Sequence, residues 1–255
     1  MKVLVTGATG FTGSHLIPHL LKKRLDVTCF VRTESDLSVL PKDKVRIAIG
    51  DLNSPKTLEQ ALHGIDILIN IASLGFGHAE GIVAAAENAG IKRVLFISTT
   101  AIFTNLNAPS KVMRLAAEKR ITESTLDYTV LRPTMIYGSS QDRNICRLIK
   151  YLQKYPVLPV VGSGEHLQQP IFVKDVAQAI IQAMYSEKSC RKSYNISGAE
   201  PLSFNNLVTV ICSQLSRSVR ILHVPVTPIV RILSFIEHIV TLPIYLKHYA
   251  IQEQE

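Results

Sequence analysis

Three glycines near the start of the chain, Gly7, Gly10 and Gly13, stand at three-residue spacing directly after the apolar run Val3–Val5. Leu16, Ile17, Leu20 and Leu21 follow with helical periodicity. A strand that turns through glycines into a helix leaves backbone N–H groups free at the helix start, where the helix dipole favours negative charge. Gly7 suits the tight turn, Gly10 lets the backbone approach a pyrophosphate, and Gly13 lets helix and strand pack closely. Glycine clusters alone mark only turns; the strand before and the helix after make this one a dinucleotide site, lined by Gly7, Thr9, Gly10, Phe11, Thr12 and Gly13.

The elements that must carry this cradle are legible in the periodicity. Apolar runs at Lys2–Thr6, Val27–Val31, Val45–Ile49, Ile65–Asn70, Arg93–Ser98 and Tyr128–Leu131 alternate with helical patterns near 12–24, 55–63, 77–90 and 109–125. This alternation predicts an α/β fold, a Rossmann-like doubly wound parallel sheet covered on both faces. After Pro133, Pro156, Pro159, Pro170 and Pro201 break the regularity. The expected organisation is a dinucleotide-binding core over 1–134, then a mixed region over 135–255 that returns partly to the core and forms a small C-terminal substrate cap.

Bulk properties narrow the function classes. With 28 basic and 20 acidic side chains the chain carries a formal charge of +8, spread over both halves and without a basic tail. No nucleic-acid motif accompanies the surplus, which suits an anionic cofactor or small substrate better than nucleic acid. Cys29, Cys146, Cys190 and Cys212 form no C-x-x-C pair, so neither a disulfide framework nor a zinc site is expected, and a reducing, cytoplasmic setting is. Met1 runs straight into the first strand, so no targeting segment is expected. His15 and His19 have i, i+4 spacing but lack a third ligand; no metal is expected.

The second strand decides which dinucleotide. A carboxylate at its end would bind a ribose 2′-hydroxyl and repel a 2′-phosphate. Here the strand ends in Arg32, and Asp26 lies at its other end, which predicts NADP(H) over NAD(H). Glu34, two residues on, keeps NAD open.

The opening Thr-Gly-Ala-Thr-Gly-Phe-Thr-Gly resembles the T-G-x-x-G-x-x-G turn of the short-chain dehydrogenases/reductases, in their extended and atypical branches (epimerase/dehydratase or NmrA-like). Further stretches match in order to about residue 200. Gly50-Asp51-Leu52 resembles the acidic segment at the adenine, and Asn70-Ile71-Ala72-Ser73 the N-x-A strand end. Phe96-Ile97-Ser98-Thr99-Thr100 resembles the strand that delivers the catalytic Ser/Thr. Leu131 to Gly138 is similar to the R-P-x-x-x-Y-G segment beside the nicotinamide, and Gln169 to Ala177 to the return to the core. The resemblance implies cofactor contacts from Asp51, Leu52, Ile71, Ala72, Ser73, Pro133 and Thr134, besides Arg32.

The chain departs from that family at the catalytic pair. The family's Tyr, with a Lys four residues later, moves protons near neutral pH. Aligning Glu118 with the family's common glutamate puts Ser110 at the Tyr position and Arg114 at the Lys position, and no Tyr precedes residue 128. A serine hydroxyl is a far weaker acid than a phenol. Two readings follow. In one, Thr99 or Ser98 polarises a carbonyl, Arg114 or Lys111 supplies a cation and Tyr137 a proton, in a reductase or epimerase/dehydratase acting on a small carbonyl or sugar nucleotide. In the other, the fold holds the nucleotide as a redox sensor or assembly subunit.

Two later segments carry partner expectations. Arg143, Arg147, Lys150 and Lys154 form a basic stripe opposite Ile145, Leu148, Ile149 and Leu152, either a solvated face or a contact to a substrate phosphate. Residues 227–242, opened by Thr227 and Pro228, carry a narrow polar stripe of Arg231, Ser234, His238 and Thr241, are otherwise mostly Ile, Leu, Val and Phe, and are too short for a standard membrane span. They suit burial in the cap, a homodimer interface or contact with a membrane surface. The polar end, 252–255, reads as a frayed or cut terminus.

Overall fold

Val3 and Val5 point to one face of the first strand and Leu4 to the other, and all three are fully buried. A strand buried on both faces must be central, and the computed structural model places it so. The structure describes residues 1–105, 108–142 and 144–225. In chain order the elements are β1 (Lys2–Thr6), α1 (Phe11–Lys22), β2 (Asp26–Val31), β3 (Arg46–Ile49), α2 (Pro55–Ala61), β4 (Ile67–Asn70), α3 (Ala79–Asn88), β5 (Arg93–Ile97), α4 (Pro109–Thr122), β6 (Asp127–Pro133) and β7 (Ile136–Tyr137). Then come α5 (Ile145–Lys154), β8 (Val157–Val161), β9 (Leu167–Gln168), β10 (Ile171–Phe172), α6 (Val173–Tyr185), β11 (Lys192–Ile196), β12 (Leu202–Ser203), α7 (Phe204–Gln214) and β13 (Arg220–Val224).

The main sheet has seven strands in the order β11-β6-β5-β4-β1-β2-β3. Every pairing in it is parallel. The order reverses between β1 and β4, which makes the carboxyl ends of those two strands the switch point where ligands bind in open α/β sheets. Helices cover both faces. Val3 and Val5 pack with α1 and α6 residues such as Leu16, Ile17, Val176 and Ile180. Leu4 packs on the other side with Leu58 of α2, Ile82 and Val83 of α3 and Ile121 of α4. This is the Rossmann-like doubly wound architecture expected from the alternation. Burial pushes the Cys29 thiol, on β2 in the first cluster, up to about 12. It is a packing group, not a nucleophile.

Over residues 1–134 the predicted and observed elements differ mainly at their ends: β6 runs to Pro133, two residues beyond the expected strand, and α3 is shorter than the periodicity suggested. The chain divides into two compact units. The first holds residues 1–141 and 170–198, so the main sheet regains a strand, β11, after leaving it. The second holds residues 142–169 and those from 199 onward. In it α5 buries Ile145, Cys146 and Leu152, while Leu148 and Ile149 of the expected buried face are only half-buried. β8 and β13 pair in parallel, and β9 pairs antiparallel with β12. No described helix is long and apolar enough to cross a membrane.

Candidate functional site

The site is built on the turn between β1 and α1. Gly7 has a φ of +68°, and a Cβ there would stand 2.8 Å from the Ala72 nitrogen. Gly10 caps α1 in extended conformation with no side-chain hydrogen bond to the first turn, and no acidic side chain enters that turn. The amides of Phe11, Thr12 and Gly13 therefore open α1 as an anion cradle, with Thr9, Phe11 and Thr12 half-buried around it. Gly13 is the tightest point. Its Cβ would fall 2.3 Å from the Gly7 carbonyl oxygen and 2.7 Å from the Ala8 Cα.

A buried polar pair locks this turn to the neighbouring strand. Thr6 Oγ1 donates to Asn70 Oδ1 (2.6 Å), and Asn70 Nδ2 donates to the Ala72 carbonyl (3.0 Å). Both side chains are fully buried. The link fixes Ile71, Ala72 and Ser73 beside Gly7, at the switch point. In the sequence Thr6 and Asn70 stand only as members of the two motifs, with no pairing between them implied; a polar residue at each strand end, just before its loop, is the signal for it. Ser73 Oγ accepts the Gly75 N–H and starts a single 3-10 turn, Leu74–Phe76.

Further round the sheet, Asp51 follows β3. Its Oδ1 accepts from the Asn53 backbone N–H (2.8 Å) and Nδ2 (3.1 Å), and Leu52 beside it is half-buried. At the carboxyl end of β2, Arg32 Nε stands 3.2 Å from Glu34 Oε1, both side chains being two-thirds exposed. Asp26 pairs with Arg46 at the opposite end of the strand (2.5 Å). The cradle offers the backbone donors that a dinucleotide pyrophosphate needs, and a side chain at Gly7 or Gly13 would run into the backbone of Ala72 or of Gly7 and Ala8 that shapes the turn.

A family model described as NAD(P)H-binding matches residues 7–187, from the first glycine of the cradle to beyond α6. The chain belongs to this NAD(P)H-binding family. It is 26% identical over 247 residues to the mitochondrial NADH dehydrogenase [ubiquinone] 1 alpha subcomplex subunit 9 of Arabidopsis thaliana, an alignment covering 87% of this chain and 60% of that protein. It thus spans less than two thirds of that relative's length. It is 23% identical over 264 residues to the N-acetyl-alpha-D-glucosaminyl-diphospho-ditrans,octacis-undecaprenol 4-epimerase of Escherichia coli O157:H7, covering 88% and 75% of the two chains. The solved UDP-glucose 4-epimerase of Thermus thermophilus in complex with NAD shares the fold, with a TM-score of 0.72, 19% identity and coverage of 88% and 86%. The epimerases agree with the resemblance to the extended short-chain dehydrogenase/reductase branch.

In this NAD(P)H-binding protein the residues expected to do chemistry fall into two groups. Ser98 is committed to structure. Its Oγ donates to Glu118 Oε1 (2.5 Å), and the same carboxylate receives Arg132 through Nε (2.9 Å) and Nη2 (2.5 Å). The Phe103 ring lies 5.4 Å from the Arg132 guanidinium carbon. Lys111 is also engaged, its Nζ donating to the Thr104 carbonyl. Thr99 is different. Its Oγ1 accepts the Ala101 N–H (3.2 Å) at the start of the 3-10 turn Thr100–Phe103, which leaves the hydroxyl proton to donate elsewhere.

Ser110 and Arg114 lie one turn apart on α4, and Arg114 Nη1 donates to Ser110 Oγ (3.0 Å). The Arg114 guanidinium covers Gly75, where a Cβ would meet three of its atoms at 3.3 Å. It therefore faces the loop that carries Ala72 and Ser73. α4 packs against both 3-10 turns, the one after Ser73 and the one after Thr99. Tyr137 is half-buried on β7, its ring 5.6 Å from that of Phe172. Pro133 ends β6 buried, and the Thr134 N–H donates to the Ile196 carbonyl.

His15 and His19 each hold a carbonyl one turn back, Nδ1 lying 2.8 Å from the oxygens of Phe11 and His15 respectively. Among the described residues no group of three His, Cys, Asp or Glu side chains could hold a metal ion. None of the four cysteines is in a disulfide. Residues 227–242, Arg143 and the end at 252–255 lie outside the described residues.

Proposed function

We propose that this protein binds NADP(H) in preference to NAD(H) and acts as a cytoplasmic reductase, or in an epimerase/dehydratase-like reaction, on a small carbonyl or sugar-nucleotide substrate that is itself anionic. The observation that carries the reading is the spare hydroxyl proton on Thr99, beside an α4 that brings Ser110 and Arg114 against the same loops. The bound coenzyme supplies the hydride. The chain's own residues bind the substrate carbonyl and stabilise charge on its oxygen. Thr99 donates to that oxygen, with its own oxygen fixed by the Ala101 amide. Ser110 donates beside it, and the positive charge of Arg114 lowers the cost of an alkoxide there. Since a serine hydroxyl is a poor acid, the proton that completes the alcohol comes from the Tyr137 phenol, re-protonated from solvent.

Thr99→Ala is expected to lower turnover of a responsive carbonyl about 100-fold while leaving coenzyme affinity unchanged. Reduced-coenzyme absorbance over a carbonyl panel reads the first and fluorescence titration the second; undiminished turnover in the variant rejects Thr99.

The coenzyme preference rests on Arg32, whose guanidinium at the end of β2 suits a 2′-phosphate. Arg32→Ala should weaken NADPH about tenfold and leave NADH nearly unchanged. Glu34→Gln, by releasing Arg32 from its carboxylate, should move the ratio the other way. Equal losses for both coenzymes in calorimetry would remove the preference.

A second reading, a nucleotide-holding redox sensor or assembly subunit, is favoured by one observation: the group that Arg114 holds is a serine rather than a phenol. Tight coenzyme binding without turnover across the whole panel decides for it.

A further inference from the structure

The second unit carries a charge imbalance that the dinucleotide reading does not use. From 143 to 164 and from 201 to 236 the chain contains no Asp or Glu, yet it holds Arg147, Lys150, Lys154, Arg217 and Arg220 among its basic residues. All five are exposed. Arg147, Lys150 and Lys154 stand at i, i+3 and i+7 on α5, opposite its buried residues Ile145 and Leu152. At the end of that helix Arg217 donates to the Gln153 carbonyl, and the Arg220 N–H donates to the Pro156 carbonyl (2.9 Å). Three basic residues from two separate segments thus converge on the passage from α5 into β8.

Apolar side chains are exposed at the same place. Register pairs Arg220 with Val157 and Leu222 with Pro159, so these four residues share one face of the β8–β13 ribbon. Val157 is 40% exposed and Leu222 50%. Tyr155, 42% exposed, packs its ring on Tyr151 and takes the Lys154 ammonium 5.3 Å from its centre. Of the unit's carboxylates before residue 226, Asp142 is buried and accepts the N–H groups of Asn144 and Cys146, Glu165 accepts from Asn205, and Glu200 is exposed. None of the three is paired with the cluster in an ion pair.

We propose that this face, Lys150, Lys154, Arg217 and Arg220 around Tyr155 and Leu222, binds the surface of an anionic lipid bilayer. Basic side chains meet phosphate and carboxylate headgroups while Tyr155, Val157 and Leu222 enter the interfacial layer. Charge complementarity selects an anionic partner, and the exposed aliphatic residues select lipid over nucleic acid, whose backbone gives them nothing to bury in. The proposal is independent of the coenzyme and of catalysis.

The test is co-sedimentation of the full chain with vesicles of about one-third phosphatidylserine in phosphatidylcholine, against phosphatidylcholine alone. Binding is expected to the anionic vesicles only, and to fall at least tenfold between about 0.1 M and about 0.5 M salt. The double variant Lys150→Glu, Lys154→Glu should lose at least tenfold, and Leu222→Ser severalfold, with unfolding midpoints and NADPH affinity unchanged because these side chains are exposed. Equal binding to both vesicle types, no binding to either, or insensitivity to the charge reversal overturns the proposal. So does a preference for duplex or single-stranded RNA over the anionic vesicles.

Discussion

Gly13→Ala is expected to unfold the protein about 10 °C below the parent and to abolish measurable NADPH binding. The added Cβ would lie 2.3 Å from the Gly7 oxygen and 2.7 Å from two atoms of Ala8, all of them backbone. No rotamer change can relieve that, so α1 must move away from β1. Overpacking of this kind costs about 3 kcal/mol, and a domain of this size loses roughly 2–4 °C per kcal/mol. Moving α1 also moves its first amides away from the phosphates. Gly10→Ala separates fold from binding, because its nearest neighbour is the Gly7 oxygen at 3.3 Å. Its midpoint should stay within about 2 °C of the parent while NADPH affinity falls at least tenfold, since the new methyl stands where the backbone approaches the pyrophosphate. Scanning calorimetry and coenzyme titration on both variants check this. A Gly10→Ala protein that binds like the parent would mean that the α1 amides do not hold the phosphates.

These glycines show what a sequence can disclose. The positive φ of Gly7 and the close approach at Gly13 are set by backbone geometry within a dozen residues of chain, and the apolar run and helical pattern flanking them are local too. The limits of β1 follow from the same local signal, because a strand buried on both faces is apolar without interruption. β11 was not read from the sequence for the opposite reason. It is an edge strand of Lys192, Ser193, Tyr194, Asn195 and Ile196 with no residue fully buried, so hydrophobic periodicity carries no trace of it. The run of three hydroxyl residues Ser98–Thr99–Thr100 is equally silent on which hydroxyl is spare. Ser98 is consumed by a carboxylate twenty residues on, and Thr99 is capped by an amide two residues on. Only tertiary structure separates them.

Glu118 is the group that makes that separation, and its removal should produce the largest stability loss outside the glycine turn. Its carboxylate is 7% exposed, and it accepts from Ser98 and, through both oxygens, from Nε and Nη2 of an Arg132 that is 20% exposed. Glu118→Ala leaves the Arg132 guanidinium, set over the Phe103 ring, with no counter-charge, and loses the acceptor that holds Ser98 after β5. Stripping one member from a buried ion pair costs about 3–5 kcal/mol. Much of that is the uncompensated charge rather than the attraction of the pair. Glu118→Leu combined with Arg132→Met, which removes both charges and fills the space, should therefore recover most of the loss in urea denaturation. If the pair also positions Thr99 through its neighbour Ser98, the double variant will stay folded and bind NADPH at parental affinity while turnover drops about tenfold. Single and double variants of equal stability would instead place the energy in the Ser98 hydrogen bond, since that bond is lost in both.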